Sequence, residues 1–246
     1  MPALHTKVML TYGVIVKDEQ DYLESLIPHL IEHKHPEHQV RVLVDTEQTP
    51  QAIIAYLNSY PEVIVDEYRF QRDFAAMRNF FLERCETEWM FQIDCDEIPN
   101  PALMSILHEL ISDMDDKVEV ISNPRINTFF DMTKEYEKEH FLELERNEHG
   151  WYHWPDYQYR IVRCASSCQW EGVIHEGLQY SGECVHLQQH KDFSLLHHKG
   201  LKKQKQQTVF YETFDEHNEL ADFLLQRRKN FKIQLEQMRK RFYGDE

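Results

Sequence analysis

The sequence predicts an α/β fold: a mainly parallel sheet flanked by helices, with a helical extension at its C-terminal end. Two observations carry this. Short apolar, β-branched runs alternate with stretches of about 10–14 residues that have apolar positions at helical spacing. Hydrophobic residues make up 41% of the 246, enough for a core, while only 7 glycines and 9 prolines exclude low-complexity and collagen-like chains.

The elements follow in order. "KVMLTYGVIV" (7–16) is apolar and reads as a buried strand, and "DYLESLIPHLIEH" (21–33) as a helix. "VRVLVD" (40–45) is a second strand, and "PQAIIAYLNSY" (50–60) a helix opened by proline. "EVIVDEY" (62–68) is a third strand. "DFAAMRNFFLERC" (73–85) is a helix with Asp73 placed to cap it. "EWMFQID" (88–94) is a fourth strand, "PALMSILHELI" (101–111) a helix and "KVEVISN" (117–123) a strand. In such sheets ligands bind beyond the carboxyl ends of the strands, so Asp45 and Asp94 should look into one crevice.

After residue 123 the rhythm breaks. Residues 127–156 are polar, aromatic and irregular, and read as an insertion or lid. "YQYRIVR" (157–163) and "CQWEGVI" (168–174) are expected to pair as a hairpin. Residues 217–242 form an amphipathic pattern with Leu220, Phe223, Leu224, Phe231, Leu235, Met238 and Phe242 on one stripe. The expected division is a catalytic domain over 1–198 and a basic helical extension over 199–246.

Charge supports that division. The formal net charge is −16, which argues against a general nucleic-acid binder. Lys199 to Arg241 nevertheless carries eleven Lys/Arg against six Asp/Glu. Solvated helix faces account for such a run. The functional reading is contact with an anionic acceptor, a membrane surface or a partner. The five cysteines show no framework spacing, and the N-terminal stretch lacks the pattern of a signal peptide, so the expected compartment is the cytoplasm. Cys164, Cys168, Cys184 and His186 have ligand-like spacing, but no second paired motif follows, which argues against zinc.

The chemistry concentrates in "FQIDCDEIPN" (91–100), where Asp94, Asp96 and Glu97 follow a buried strand. On an extended strand Asp94 and Asp96 would project from one side. Anions so close need a cation, and oxygen ligands suit a hard ion, Mn²⁺ or Mg²⁺, with positions left for substrate phosphates. Acidic triplets on solvated turns are common, so the triplet alone specifies little.

Several segments together resemble family 2 glycosyltransferases of the GT-A fold. "VIVKDEQDYLESLI" is similar to the opening V-K-N-E and helix, and "VLVDT" to the second strand. "DFAAMRNFFLERCETEWMFQIDCDEIP" resembles the D-F-x-x-x-R-N…D-x-D-E segment. "YRIVR…CQWEGVIHEGL" and "LLHHKG" resemble elements of the lipopolysaccharide-core-like branch. The resemblance implies that Asp96 ligates a metal bridging the donor phosphates. It also implies that Asp94 touches the ribose or the metal, that Asp45 meets the base, and that Arg78 supports the nucleotide or the acidic cluster. Two features depart from the pattern: Asp18 stands for the usual Asn, and "DTEQTP" (45–50) lacks a second Asp.

The implied reaction moves a sugar, with inversion, from a nucleotide donor to a hydroxyl of a glycan or glycoconjugate acceptor. A carboxylate takes the acceptor proton. Glu176 of "GVIHEG" is the candidate base against an ordinary ion-pair role, with His175 orienting it. His197 is the candidate imidazole ligand, favoured over His198. Arg160 and Arg163, three apart, face opposite sides of a strand, so at most one reaches a diphosphate, and Arg163 is the candidate. Trp151, Trp154 and Trp170 are either sugar platforms or core. The rival readings are a nucleotidyltransferase on a related sheet, weakened by the missing Gly-rich loop, and a non-catalytic GT-A-like sugar-nucleotide-binding domain, favoured by the altered 45–50 turn.

Overall fold

The computed structural model describes residues 10–140, 146–174 and 176–212. The chain divides into two compact units, Met1–Gly200 and Leu201–Glu246. In the first, β1 (Leu10–Val16), α1 (Gln20–His33), β2 (Gln39–Asp45), α2 (Gln51–Asn58), β3 (Val63–Tyr68), α3 (Phe74–Glu83) and β4 (Trp89–Asp94) alternate as the periodicity predicts. Then come β5 (Glu97–Pro99), α4 (Pro101–Ser112), β6 (Val118–Asn123), β7 (Arg125–Phe129), α5 (Lys134–His140) and β8 (Gln158–Arg163). β9 (Gln169–Glu171), β10 (Gly177–Gln179), β11 (Glu183–His186) and β12 (Leu195–Lys199) complete this unit. In the second unit the described element is α6 (Leu201–Glu212), which carries Lys202, Lys203 and Lys205. The amphipathic stretch expected over 217–242 lies outside the described residues.

Seven strands form the main sheet in the order β11-β6-β8-β4-β1-β2-β3. β1 runs parallel to β2 and β4, and β2 parallel to β3. Alternate residues face opposite sides, and each side buries its own cluster. On one, Val14, Val42, Phe91 and Ile93 meet α1, α2 and α4. On the other, Leu43, Met90 and Val162 meet α3 and the small β9–β10 sheet. α1 buries Leu23, Leu26, Ile27 and Leu30 at spacings of three, one and three. Burying each such side chain favours the fold by about 1.5–3 kcal/mol. α3 starts at Asp73, whose Oδ1 accepts a hydrogen bond from the Ala76 amide at 2.8 Å. It packs close because β1 carries Gly13, where a Cβ would stand 3.0 Å from Phe81 and 3.1 Å from the Met90 sulfur.

The second half departs from the expected layout. β8 does not pair with residues 168–174. It inserts between β4 and β6, antiparallel to both, while β9 pairs with β10. The irregular 127–156 segment begins within β7, which joins β12 and β5 in a separate three-stranded sheet, ordered β5-β12-β7. Both corrections have one cause. A strand's partner depends on tertiary contacts, and proximity in sequence is a weak guide once hairpin turns are absent.

Candidate active site

The acidic triplet sits at the carboxyl end of β4, where the strand stops. Asp94 is its last residue, Cys95 and Asp96 form a turn, and Glu97 opens β5. The expectation that Asp94 and Asp96 share one side of a strand is therefore corrected: the turn sends the two carboxylates to different partners.

Asp94 lies between two guanidinium groups. Arg78 Nη2 donates to Oδ1 at 2.9 Å, and Arg160 Nη2 donates to Oδ2. Burial alone would favour the neutral acid, but Arg160 and Arg78 outweigh it and hold the carboxyl well below the usual carboxylate range. Glu97 is fully buried and accepts from Arg160 at 2.7 Å and from Arg125 at 2.8 Å. Arg125 continues to Asp156 at 2.6 Å. Burial opposes the charge of Asp156 too, yet Arg125 and Asn127 hold it low. Crowded anions persist here because arginines from β7, β8 and α3 interleave with them.

Asp96 meets side chains of β12. It is 9% exposed, with His197 Nε2 3.4 Å and Lys199 Nζ 3.9 Å from its Oδ2. β12 sets His197 opposite Glu97 on β5 and Asn127 on β7. Asn127 Nδ2 donates to Tyr152 O and Asp156 Oδ2, which orients its amide oxygen toward His197 Nδ1 at 2.7 Å. An amide oxygen only accepts, so Nδ1 carries a proton and Nε2 is the ring nitrogen turned toward Asp96. Nε2 and the carboxylate face each other at 3.4 Å beside the Lys199 ammonium, a nitrogen–oxygen donor pair that a divalent ion also fits. His198 turns away, to Thr128 at 2.7 Å.

The other predicted residues divide. Arg78 Nε also donates to Glu176 Oε1 at 2.5 Å, so one side chain gathers Asp94 and Glu176 from 16 and 98 positions away. His175 lies outside the described residues. Asp45 stands at the same end of the sheet, two strands or ~10 Å across from Asp94. It is 6% exposed, and its Oδ1 accepts from the Glu47 and Phe70 amides, closing its own turn. Arg163 does not reach the crevice. It pairs with Glu88 and donates to Val118 O at the far end of the sheet. Because β8 runs antiparallel to β4, its earlier arginine, Arg160, lies at the mouth, while Arg163 sits opposite Trp89.

Trp170 is 6% exposed; its backbone exchanges two hydrogen bonds with Asn79, and its ring lies under Arg78, which makes it core. Trp151 and Trp154 meet edge to face at 5.0 Å and line a cavity of about 220 Å³ with Gln189, His190 and Lys191. The sequence reading missed Arg125, Asn127, Asp156 and Lys199. The direction of β8 and the second sheet bring them in, and no short motif announces either. Among the described residues Cys164, Cys168, Cys184 and His186 form no ligand group, and His186 Nδ1 meets Ser122 instead.

The sequence model for Glycosyl transferase family 2 matches residues 11–166. A curated relative, the lipopolysaccharide core biosynthesis glycosyltransferase LpsC of Rhizobium meliloti, is 29% identical over 115 residues, which cover 46% of this chain and 40% of LpsC. The chain thus spans well under half the length of that relative. Among solved structures, Staphylococcus aureus TarS (residues 1–349) is 16% identical with a TM-score of 0.42, over 64% of this chain and 47% of TarS. The mannosyltransferase PcManGT of Pyrobaculum calidifontis, solved with GDP-Man and Mn²⁺, is 20% identical with a TM-score of 0.38, over 47% of this chain and 35% of PcManGT.

Proposed function

The chain belongs to glycosyl transferase family 2, and on that premise we propose that it is a metal-dependent, inverting glycosyltransferase that uses a nucleoside-diphosphate sugar. The acceptor is a hydroxyl on a glycan or a lipopolysaccharide-type glycoconjugate. One observation carries the reading: Asp96 Oδ2 and His197 Nε2 face each other at 3.4 Å, while the neighbouring Asp94 and Glu97 are paired with arginines.

Asp96 and His197 would hold a divalent ion, Mn²⁺ or Mg²⁺. When bound, that ion supplies positive charge where the leaving diphosphate gathers negative charge. Asn127 keeps the His197 ring in the required tautomer. Arg78 and Arg160 keep Asp94 ionised and fixed, where it can accept a hydrogen bond from the donor's ribose. Asp45 closes the nucleotide end of the crevice.

In the displacement, the acceptor oxygen forms its bond to the anomeric carbon as the bond from that carbon to the diphosphate breaks. The acceptor proton passes to Glu176, whose other oxygen Arg78 orients. Trp151 and Trp154 supply apolar faces for an acceptor sugar. The basic stretch after Gly200 offers cations to an anionic acceptor or membrane surface.

A second reading rests on Lys199. This buried ammonium, 3.9 Å from Asp96 Oδ2, can take up diphosphate charge without a metal. Turnover of a panel of nucleotide sugars, measured with Mn²⁺ and with chelator, tests both. The expected result is turnover that chelator removes, Mn²⁺ restores and Asp96→Asn abolishes. Chelator-resistant turnover lost in Lys199→Met would favour the second reading. Release of pyrophosphate from nucleoside triphosphates, or binding without turnover, would overturn the assignment.

A further inference from the structure

At the end of the sheet remote from the crevice, His35 and His38 flank the turn between α1 and β2, and His108 comes from the third turn of α4. β2 separates His38 from Asp45 by seven residues of strand, ~23 Å. Among the described residues this trio is the one group of three or more His, Cys, Asp or Glu whose ligand atoms all lie within 4.8 Å of one another.

The geometry points to a second metal site here, a three-imidazole site for a d-block divalent cation of the zinc class. His108 Nδ1 and His38 Nε2 stand 3.3 Å apart. With metal–nitrogen bonds of ~2.0–2.1 Å, two ligands of a tetrahedral ion are ~3.3–3.4 Å apart. The rings of His35 and His108 stack face to face at 3.7 Å and 17°, so one ring must turn for both in-plane lone pairs to meet a shared ion. Behind His108, Glu37 Oε2 lies 3.6 Å from Nε2, the carboxylate-to-imidazole arrangement that orients metal-binding histidines.

His38 is 3% exposed, whereas His108 keeps a quarter of its side chain open, which gives an ion a way in. Uptake replaces existing contacts, the 3.3 Å hydrogen bond between His108 Nδ1 and His38 Nε2 and, where His35 binds through Nδ1, the 3.3 Å hydrogen bond from the Glu37 amide. An all-nitrogen set selects zinc, nickel or copper over the hard ions suited to Asp96, so the two sites differ in ligand chemistry as well as in place. A bound ion would clamp the α1–β2 turn onto α4.

Chelator-treated full-length protein, titrated with Co²⁺ and Zn²⁺, tests this. The expected result is one ion per chain beyond any held at Asp96, with the visible absorption of tetrahedral Co²⁺. Zn²⁺ at a hundredfold excess over its Kd should raise Tm by about 5–10 °C. The double variant His35→Gln/His108→Gln should lose both signals; Asp96→Asn and the neighbouring His33→Gln should keep them. Absence of uptake, survival of the signals in the double variant, or their loss in Asp96→Asn would overturn the proposal. If the double variant does not fold, the imidazole ¹⁵N shifts of the wild type decide. Zn²⁺ must move His108 Nδ1 and His38 Nε2, and unmoved resonances reject the site.

Discussion

The two halves of the crevice are built by different means. The half formed by β1, β2, β3 and α1 to α3 is assembled from neighbours in sequence, each strand followed by the helix that covers it. The half formed by β5, β7, β8 and β12 is stitched by polar pairs between residues far apart. Arg160 meets Asp94 across 66 positions, His197 meets Asn127 across 70, and Arg78 meets Glu176 across 98. Periodicity of burial fixes the first half, and charge complementarity fixes the second. Changes in the first should therefore cost stability in small increments, whereas changes in the second should act on stability and turnover in large ones.

The sharpest test is Glu176→Gln. Loss of a proton acceptor should lower kcat by about 10²–10⁴-fold, with the Tm close to wild type. A loss of Tm without a loss of kcat would make Glu176 a structural partner of Arg78. Next is Arg160→Met, which leaves the fully buried Glu97 with one cation fewer and should destabilise the fold by about 3–5 kcal/mol in urea titrations. Arg41→Met, which breaks the Arg41–Asp66 pair at 2.9 Å in the regular half, should cost about 1–3 kcal/mol. Equal losses would erase the distinction between the halves.

Asn127→Ala removes the group that holds His197, and metal affinity measured by titration calorimetry should fall about 10–100-fold. Asp73→Ala, a cap in the regular half, should cost about 1 kcal/mol. The carboxyls of Asp94 and Asp156 are held below their unfolded range, so the unfolded chain binds protons first as pH falls below about 4. The stability they contribute is complete above that pH and drains beneath it. Arg160→Met should flatten this acid dependence, because Asp94 then loses a cation.

This contrast also explains what could be read beforehand. The strands and helices up to Asp94 were legible because burial alternates on strands and recurs every three or four residues on helices. Asp96 and His197 were legible as chemistry, although their meeting depends on β12 pairing with β5. Arg163 was chosen over Arg160 because the sequence does not state which way a strand runs, and direction alone decides which arginine reaches the mouth. Asn127 and Lys199 look ordinary in sequence, and only the three-stranded sheet gives them their neighbours.

The single guanidinium of Arg78 has a consequence for how the crevice responds to cargo. It divides its donors between Asp94, on the proposed nucleotide side, and Glu176, on the proposed acceptor side. Any ligand charge that draws Asp94 away hands more of that guanidinium to Glu176, and the reverse holds. Occupancy at one wall is thereby communicated to the other through a side chain that need not travel, and substitutions at the two acids should fail to add.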